Sequence, residues 1–317
     1  MSIAQGSNTR FSYIEEVTPG TTPSTPEFSS FPINDFSLTL SKDTFTDPSI
    51  RSDRQVHYMV HGNYKLGGDI SVTLMGLGAD PTGNSLFDPW FESALNSAWT
   101  SNVLKVGNTT KSFTFEKTIT DSAGVENHFR YKGVQITGFS FDVALNAPVK
   151  AKFTTAGLNE DPISTVEIVG ATYLAEPAAG QQPLIHINSN NVFKEGGSAT
   201  SLMTAFSLNL TNASNVNSAL GSAQAISITS GRAAITGSAT YYFSDAALYN
   251  KFKNETISSI EVKLSDGTHS YTFLVPKIKY QSATQVINNE GTVMVTMPFT
   301  AMYDDVTGTT LQITRAG

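Results

Sequence analysis

The amino-acid sequence predicts an all-β protein with a minor helical part, built as two tandem copies of one unit. Three observations carry that expectation. Many runs alternate apolar and polar residues with the period of a strand, Gly, Ser, Thr and Asn are abundant, and "FSLTL" at 36–40 returns as "FSLNL" at 206–210 with further elements following in the same order. Alternation sends every second side chain into a core, and small polar residues suit turns between short strands better than long helices.

In "GDISVTL" (68–74), Ile70, Val72 and Leu74 share one face, with Asp69, Ser71 and Thr73 on the other. A helix is expected over 85–99, "SLFDPWFESALNSAW", where Phe87, Trp90, Phe91, Ala94 and Leu95 recur at helical spacing and Pro89 suits a first turn. Strands are expected at 112–120, 128–136 and 138–145. In the last of these Phe139, Phe141, Val143 and Leu145 face one way, and Ser140, Asp142 and Ala144 the other. After a turn at "NAP" (146–148), the strand 149–157 closes the set.

The second half repeats that order. "GNYKLGGDISVTL" (62–74) aligns without gaps to "GRAAITGSATYYF" (231–243), matching Gly62 to Gly231 and Gly68 to Gly237. A short helix is expected at 244–254, where the first half has 85–99. "FRYKGVQI" (129–136) is answered by "YTFLVPKI" (271–278), and Val149, Ala151 and Phe153 stand opposite Val293, Val295 and Met297. A period of this length marks a duplicated domain, not a solenoid. The boundary is expected near 175–183, "AEPAAGQQP", giving domains 1–174 and 175–317. One connection, 41–62, reads as a loop of about twenty residues that the second half lacks in kind. Loops that long in compact domains usually bind something or are disordered.

Composition narrows the functional classes. The net charge is −7, with charged residues at 15% and no basic cluster, so the chain is poorly suited to gripping a phosphate backbone. It contains no cysteine, which excludes disulfides and thiolate chemistry. No basic, apolar leader opens it and no apolar run approaches a membrane span, so a soluble protein made in the cytoplasm is expected. The sequons at Asn108, Asn209, Asn212 and Asn254 read as chance matches in a chain rich in Asn, Ser and Thr. His57 and His61 are four apart but lack the glutamate of a zinc-protease helix, and His128, His186 and His269 have no nucleophile-elbow serine. "GGSATS" (196–201) has no phosphate-loop lysine, and the acid pairs Glu160–Asp161 and Asp304–Asp305 follow strands as solvated turns would. An enzyme therefore has no positive support, and no metal or cofactor is implied.

The first sixty residues carry a family resemblance. Tyr13, Glu15, Gly20, the "TPSTPEF" run, the "FSLTLSK" strand and above all "SIRSDRQ" (49–55) resemble the opening of phage major tail proteins, the tail tube proteins of long-tailed bacteriophages. The helix "WFESALNSAW" (90–99) after an alternating strand also fits that family, and the match extends over roughly 1–155.

The resemblance implies a β-sandwich or barrel-like domain with one flanking helix, packed into rings that stack as a hollow tube, and it leans towards a non-contractile tail. Such domains usually stand six to a ring, so two per chain imply homotrimeric rings with pseudo-sixfold symmetry; homohexameric rings are the alternative. The implied partners are further copies of the chain and the tape measure, terminator and baseplate proteins of the tail, with DNA passing through unbound and no membrane contact. Asp69, Ser71, Thr73, Ser140 and Asp142 are the lumen-facing candidates, while Lys150 and Lys152 work against a purely acidic bore. The 41–62 segment would reach the next ring, with Asp47, Ile50, Arg51, Asp53 and Arg54 as contact candidates. Two other readings compete: a carbohydrate-binding or adhesin-like β-sandwich, given 11 Tyr and 19 Phe, and a tail terminator or baseplate ring protein.

Overall fold

The computed structural model describes residues 3–30, 32–75, 86–176, 183–185, 187–286 and 291–316. Strands dominate it. The first half runs β1 (Thr9–Glu15), β2 (Glu27–Ser30), β3 (Asp35–Phe36), β4 (Thr39–Thr46), β5 (Met59–Thr73), α1 (Asp88–Leu95), β6 (Val103–Lys105), β7 (Phe113–Thr120), β8 (Glu126–Ala144), β9 (Lys150–Gly157), β10 (Asn159–Glu160) and β11 (Thr172–Leu174). The second runs β12 (Val192–Glu195), β13 (Ser198–Ala199), β14 (Met203–Thr211), β15 (Asn215–Ser218), β16 (Ala225–Thr229), β17 (Ala234–Tyr242), α2 (Ala247–Lys253), β18 (Ser258–Ser265), β19 (Ser270–Tyr280), β20 (Thr284–Val286), β21 (Met294–Ala301) and β22 (Gln312–Ala316). Most of the expected boundary, 175–183, lies outside the described residues.

One layer is the sheet β5–β9–β8–β14–β17–β21, antiparallel throughout and continuous across both halves. Over it lie β2–β1–β7 with the first part of β8, and β12–β18 with the first part of β19. Helix α1 fills the gap between layers. Trp90 is fully buried, its ring 5.5 Å from Phe115 on β7 and 5.1 Å from Phe153 on β9. Phe91 reaches across the halves, 5.4 Å from Tyr271 and 6.0 Å from Phe273. Such aromatic faces bury large apolar area and set the layers' spacing.

Corresponding positions of the two halves share one register. Phe36 pairs with Ile70, and Phe206 with Ala239. Ile70 then pairs with Phe153, and Ala239 with Met297. Even a bulge recurs: Phe113 faces Val134 and Phe115 faces Tyr131, as Ser258 faces Ile278 and Ile260 faces Val275. The glycines Gly68 and Gly237 have one cause. A Cβ there would lie 2.5 Å from the Ser37 carbonyl oxygen and 2.4 Å from that of Ser207, so no side chain fits beside the neighbouring strand.

Several expectations are corrected. The two strands expected at 128–136 and 138–145 are one strand, β8, bulged between Ile136 and Gly138, which passes from the outer layer to the inner. Leu145 lies past its end and is exposed. The helix expected over 85–99 is confined to Asp88–Leu95, because Asn96 turns left-handed (φ 50°) and caps it. The match of 129–136 to 271–278 slips by two residues: the counterpart of Tyr131 is Val275, not Phe273. A two-residue slip keeps every side chain on its face, so alternation cannot detect it.

The two ends of 41–62 are not loop. β4 and β5 form a hairpin ladder out to Thr46 opposite Met59, and only 47–58 lie outside strands. Both faces of that ladder are largely solvated, so it lacks the half-buried alternation that marks a strand. Nor does the second half lack the connection. There 212–233 contain the hairpin β15–β16, a separate two-stranded sheet.

Candidate assembly surfaces

The β4–β5 hairpin projects as an arm with apolar side chains in solvent. Phe45, Ile50, Val56, Tyr58, Met59 and Val60 are all at least half exposed. At its tip Asp47 accepts the Ser49 amide at 2.9 Å and pairs with Arg51 Nε at 3.4 Å. The Ser49 hydroxyl and amide hold the Asp47 carboxyl below its usual range. Asp53 pairs with His57 Nε2 at 2.8 Å, and among the described residues Arg54 forms no ion pair. Asp47, Ile50, Arg51, Asp53 and Arg54 thus share one tip, with Ile50 fully exposed among charges that compensate one another.

The other candidates share one sheet face. Asp69, Ser71 and Thr73 on β5 stand opposite Thr154, Lys152 and Lys150 on β9, while Ser140 and Asp142 on β8 stand opposite Lys152 and Lys150. Lys152 Nζ lies 3.2 Å from Asp69 Oδ2, and the Thr154 hydroxyl donates to Asp69 Oδ1 at 2.8 Å. The two lysines therefore sit among the acids they had appeared to oppose, and this part of the face is close to neutral. The face continues through Ser207 and Asn209 on β14, Thr236, Ser238 and Thr240 on β17, and Thr296 and Thr300 on β21, none of them charged.

Where the halves meet, Phe141 of β8 pairs with Leu208 of β14, Ser140 with Asn209 and Asp142 with Ser207. The fully buried Asn212 donates through Nδ2 to the Ala94 carbonyl at the end of α1, at 2.7 Å, and through its amide to the Thr137 carbonyl at 2.9 Å. That placement leaves its side chain no room for a glycan. Across the other layer Arg315 of β22 pairs with Asp88 of α1, and Asp88 Oδ1 also accepts the Tyr271 hydroxyl at 2.9 Å. The β22–β6 ladder runs alongside. Sequence reasoning missed these junction residues. The one trace of them is that "FSLNLTN" ends on asparagine where "FSLTLSK" ends on Lys42.

A second buried polar group stabilises the first half. Glu116 on β7 accepts the Tyr173 hydroxyl and Arg130 Nε, both at 2.6 Å, with His128 Nδ1 3.1 Å away. Burial works to raise its pKa, but the Tyr173 hydrogen bond and the Arg130 guanidinium outweigh it, and the carboxyl lies below its usual range. Every partner is a neighbouring strand or segment of the same fold, which makes the group a clasp. His57 lies on the arm tip and His61 in β5, so the pair is not on a helix. Among the described residues no group of three or more His, Asp or Glu could hold a metal ion, and no helix is long and apolar enough to cross a membrane.

The arrangement offers sheet edges, a polar face and a projecting arm, which are means of contact. A family model described as phage tail tube protein matches residues 6–301. No curated protein matches the chain.

Proposed function

The chain belongs to the phage tail tube protein family, and we propose that it builds the tube from rings of three chains, each supplying two wedges of a pseudo-sixfold ring. As a family member it is a structural component of the virion that assembles with copies of itself and with other tail proteins. In this reading 1–174 and 175–317 are duplicated wedges. The observation that carries it is the recurrence of one ladder register in both halves, bulge included, with the halves joined strand to strand. Two wedges on one chain halve the docking events needed to close a ring, and each event costs translational and rotational freedom.

The shared polar face of β5, β9, β8, β14, β17 and β21 is the proposed bore. Hydroxyls and balanced charges hold no phosphate backbone, because affinity for DNA rises with every uncompensated Lys or Arg contact. Asp69 and Asp142 would offset Lys150 and Lys152 there, leaving a conduit that neither grips the genome nor strongly repels it. The arm, with exposed Ile50 between Asp47 and Arg51 in the chain, is the proposed contact to the next ring.

Negative-stain electron microscopy of the purified protein tests the reading. Hollow tubes or stacked rings with three chains and six similar lobes in end view are expected. Rings of six chains would keep the tube and remove 175–317 from the wedge count. Glycan binding by a stable monomer would favour the adhesin-like reading instead.

A further inference from the structure

Every wedge in a closed ring needs a neighbour on each side, and one such junction lies inside the chain. There the last third of β8 pairs antiparallel with β14. Each of those strands has a counterpart in the other half. Ser140, Phe141 and Asp142 pair with Lys152, Ala151 and Lys150 of β9, just as Thr284, Gln285 and Val286 pair with Thr296, Val295 and Met294 of β21. So β20 is the counterpart of the end of β8. The β3–β4 segment "FSLTL" is likewise the counterpart of β14, since Phe36 and Phe206 hold the same place against β5 and β17.

The difference is what lies on the outer edge. The end of β8 and β14 cover one another. Among the described residues β20 pairs only with β21, and β3 and β4 pair only with β5. Thr284, Gln285 and Val286 are exposed, as are Ser37 and Thr39. These two edges carry backbone amides and carbonyls left to water, the groups that template strand addition.

Resting on the ring-forming reading above, we propose that each chain joins the next through an antiparallel ladder between 282–286 of one copy and 37–41 of its neighbour, in the register of the internal junction. Transferring that register sets Thr284 opposite Thr39, as Ser140 stands opposite Asn209, and Val286 opposite Ser37, as Asp142 stands opposite Ser207. It sets Gln285 opposite Leu38 and Ala283 opposite Leu40 on the core side. Neither segment contains proline or a charge, so no ladder hydrogen bond is missing and no like charges meet. Lys42 and Asp43 end the compatible stretch on one side. The contact is head to tail, and its repetition closes a ring.

The chain has no cysteine, so introduced pairs report without background. A chain carrying Thr39→Cys and Thr284→Cys is assembled, oxidised and run on a denaturing gel, beside a staggered control carrying Ser41→Cys and Val286→Cys. Because a disulfide tolerates Cα separations only up to about 7 Å, at least about tenfold more cross-linked chain is expected from the matched pair, in a ladder ending at three chains. All four sites are exposed, and a one-to-one mixture of the single-cysteine chains provides a milder variant, expected to give dimers only. Intact rings by microscopy with no cross-link in either matched format would overturn the register while leaving the tube reading standing. A staggered control that links as well as the matched pair would also overturn it. Wild-type protein that forms neither rings nor tubes would overturn both, and is told apart by the micrographs alone.

Discussion

The two arms occupy corresponding places and end in opposite states. In the first half the β4–β5 ladder continues, past a register shift between Lys42 and Thr44, out to Thr46 and Met59, with Phe45 and Ile50 in solvent. In the second, the β14–β17 ladder stops at Thr211 opposite Ala234, Ala213 turns with a positive φ of 45°, and the chain folds into the separate β15–β16 sheet. That sheet lies against the first half: the Tyr64 amide donates to the Ala223 carbonyl at 2.7 Å, and Ala225 and Ile228 are buried. The two arms part at one pair of corresponding positions. Asn212 is short enough to sink onto the Ala94 carbonyl, whereas Lys42, its counterpart, lays its ammonium over the Tyr64 ring at 4.7 Å and stays in the ladder. An arm folds where its docking surface is in the same chain. Among the described residues the outer part of the first arm, with Phe45, Ile50, Tyr58 and Met59 exposed, has no such surface, which fits a role between chains.

The helices differ in the same way, and they give the largest expected effect. α1 buries six residues and α2 none. Trp90→Ala should cost about 3–5 kcal/mol, while Phe252→Ala in α2 should cost about 1 kcal/mol or less. Urea midpoints check both, and equal losses would break the contrast. Next, Asn212→Ala strands the Ala94 carbonyl and should cost about 1–3 kcal/mol. It should also expose 213–224 to proteolysis. Lost stability with an arm still resistant to protease would show that β15–β16 docks without this anchor.

Acid sharpens the comparison of the halves further. Glu116 is held below its usual range in the folded state, so its contribution is fully present above the ordinary glutamate value of about 4.3 and is lost as pH falls through the lower folded value. The urea midpoint should drop across that window, and Glu116→Gln should flatten the drop. An unchanged acid profile would place the sensitivity elsewhere. The smallest effect on the isolated chain belongs to the tip. Arg51→Ala with Arg54→Ala should move stability by no more than about 0.5 kcal/mol yet reduce tube assembly. Unchanged tube length in micrographs would take the arm out of the ring-to-ring contact.

Much of the sandwich was legible from alternation alone. Ile70, Val72, Phe139, Phe141 and Phe153 are buried where the period put them, and Asp69, Ser71, Thr73, Ser140 and Asp142 share the opposite face. The arm was not legible as strand, because a hairpin solvated on both faces has no apolar side to reveal its period. The junction was not legible either, for Asp88 and Arg315 are brought together from positions 227 residues apart.

The sequence by itself determined which residues face inward, because burial imposes a period of two on any strand with one face in a core, and its repeated order and motifs carried the echo of the halves and the family resemblance. Only the tertiary structure decided which strand lies beside which, that β8 bends through both layers, that one arm folds and the other projects, and which sheet edges stay open. Those outcomes depend on backbone hydrogen bonds between distant segments, and backbone groups are nearly the same in every residue, so side-chain order leaves only a faint record of them.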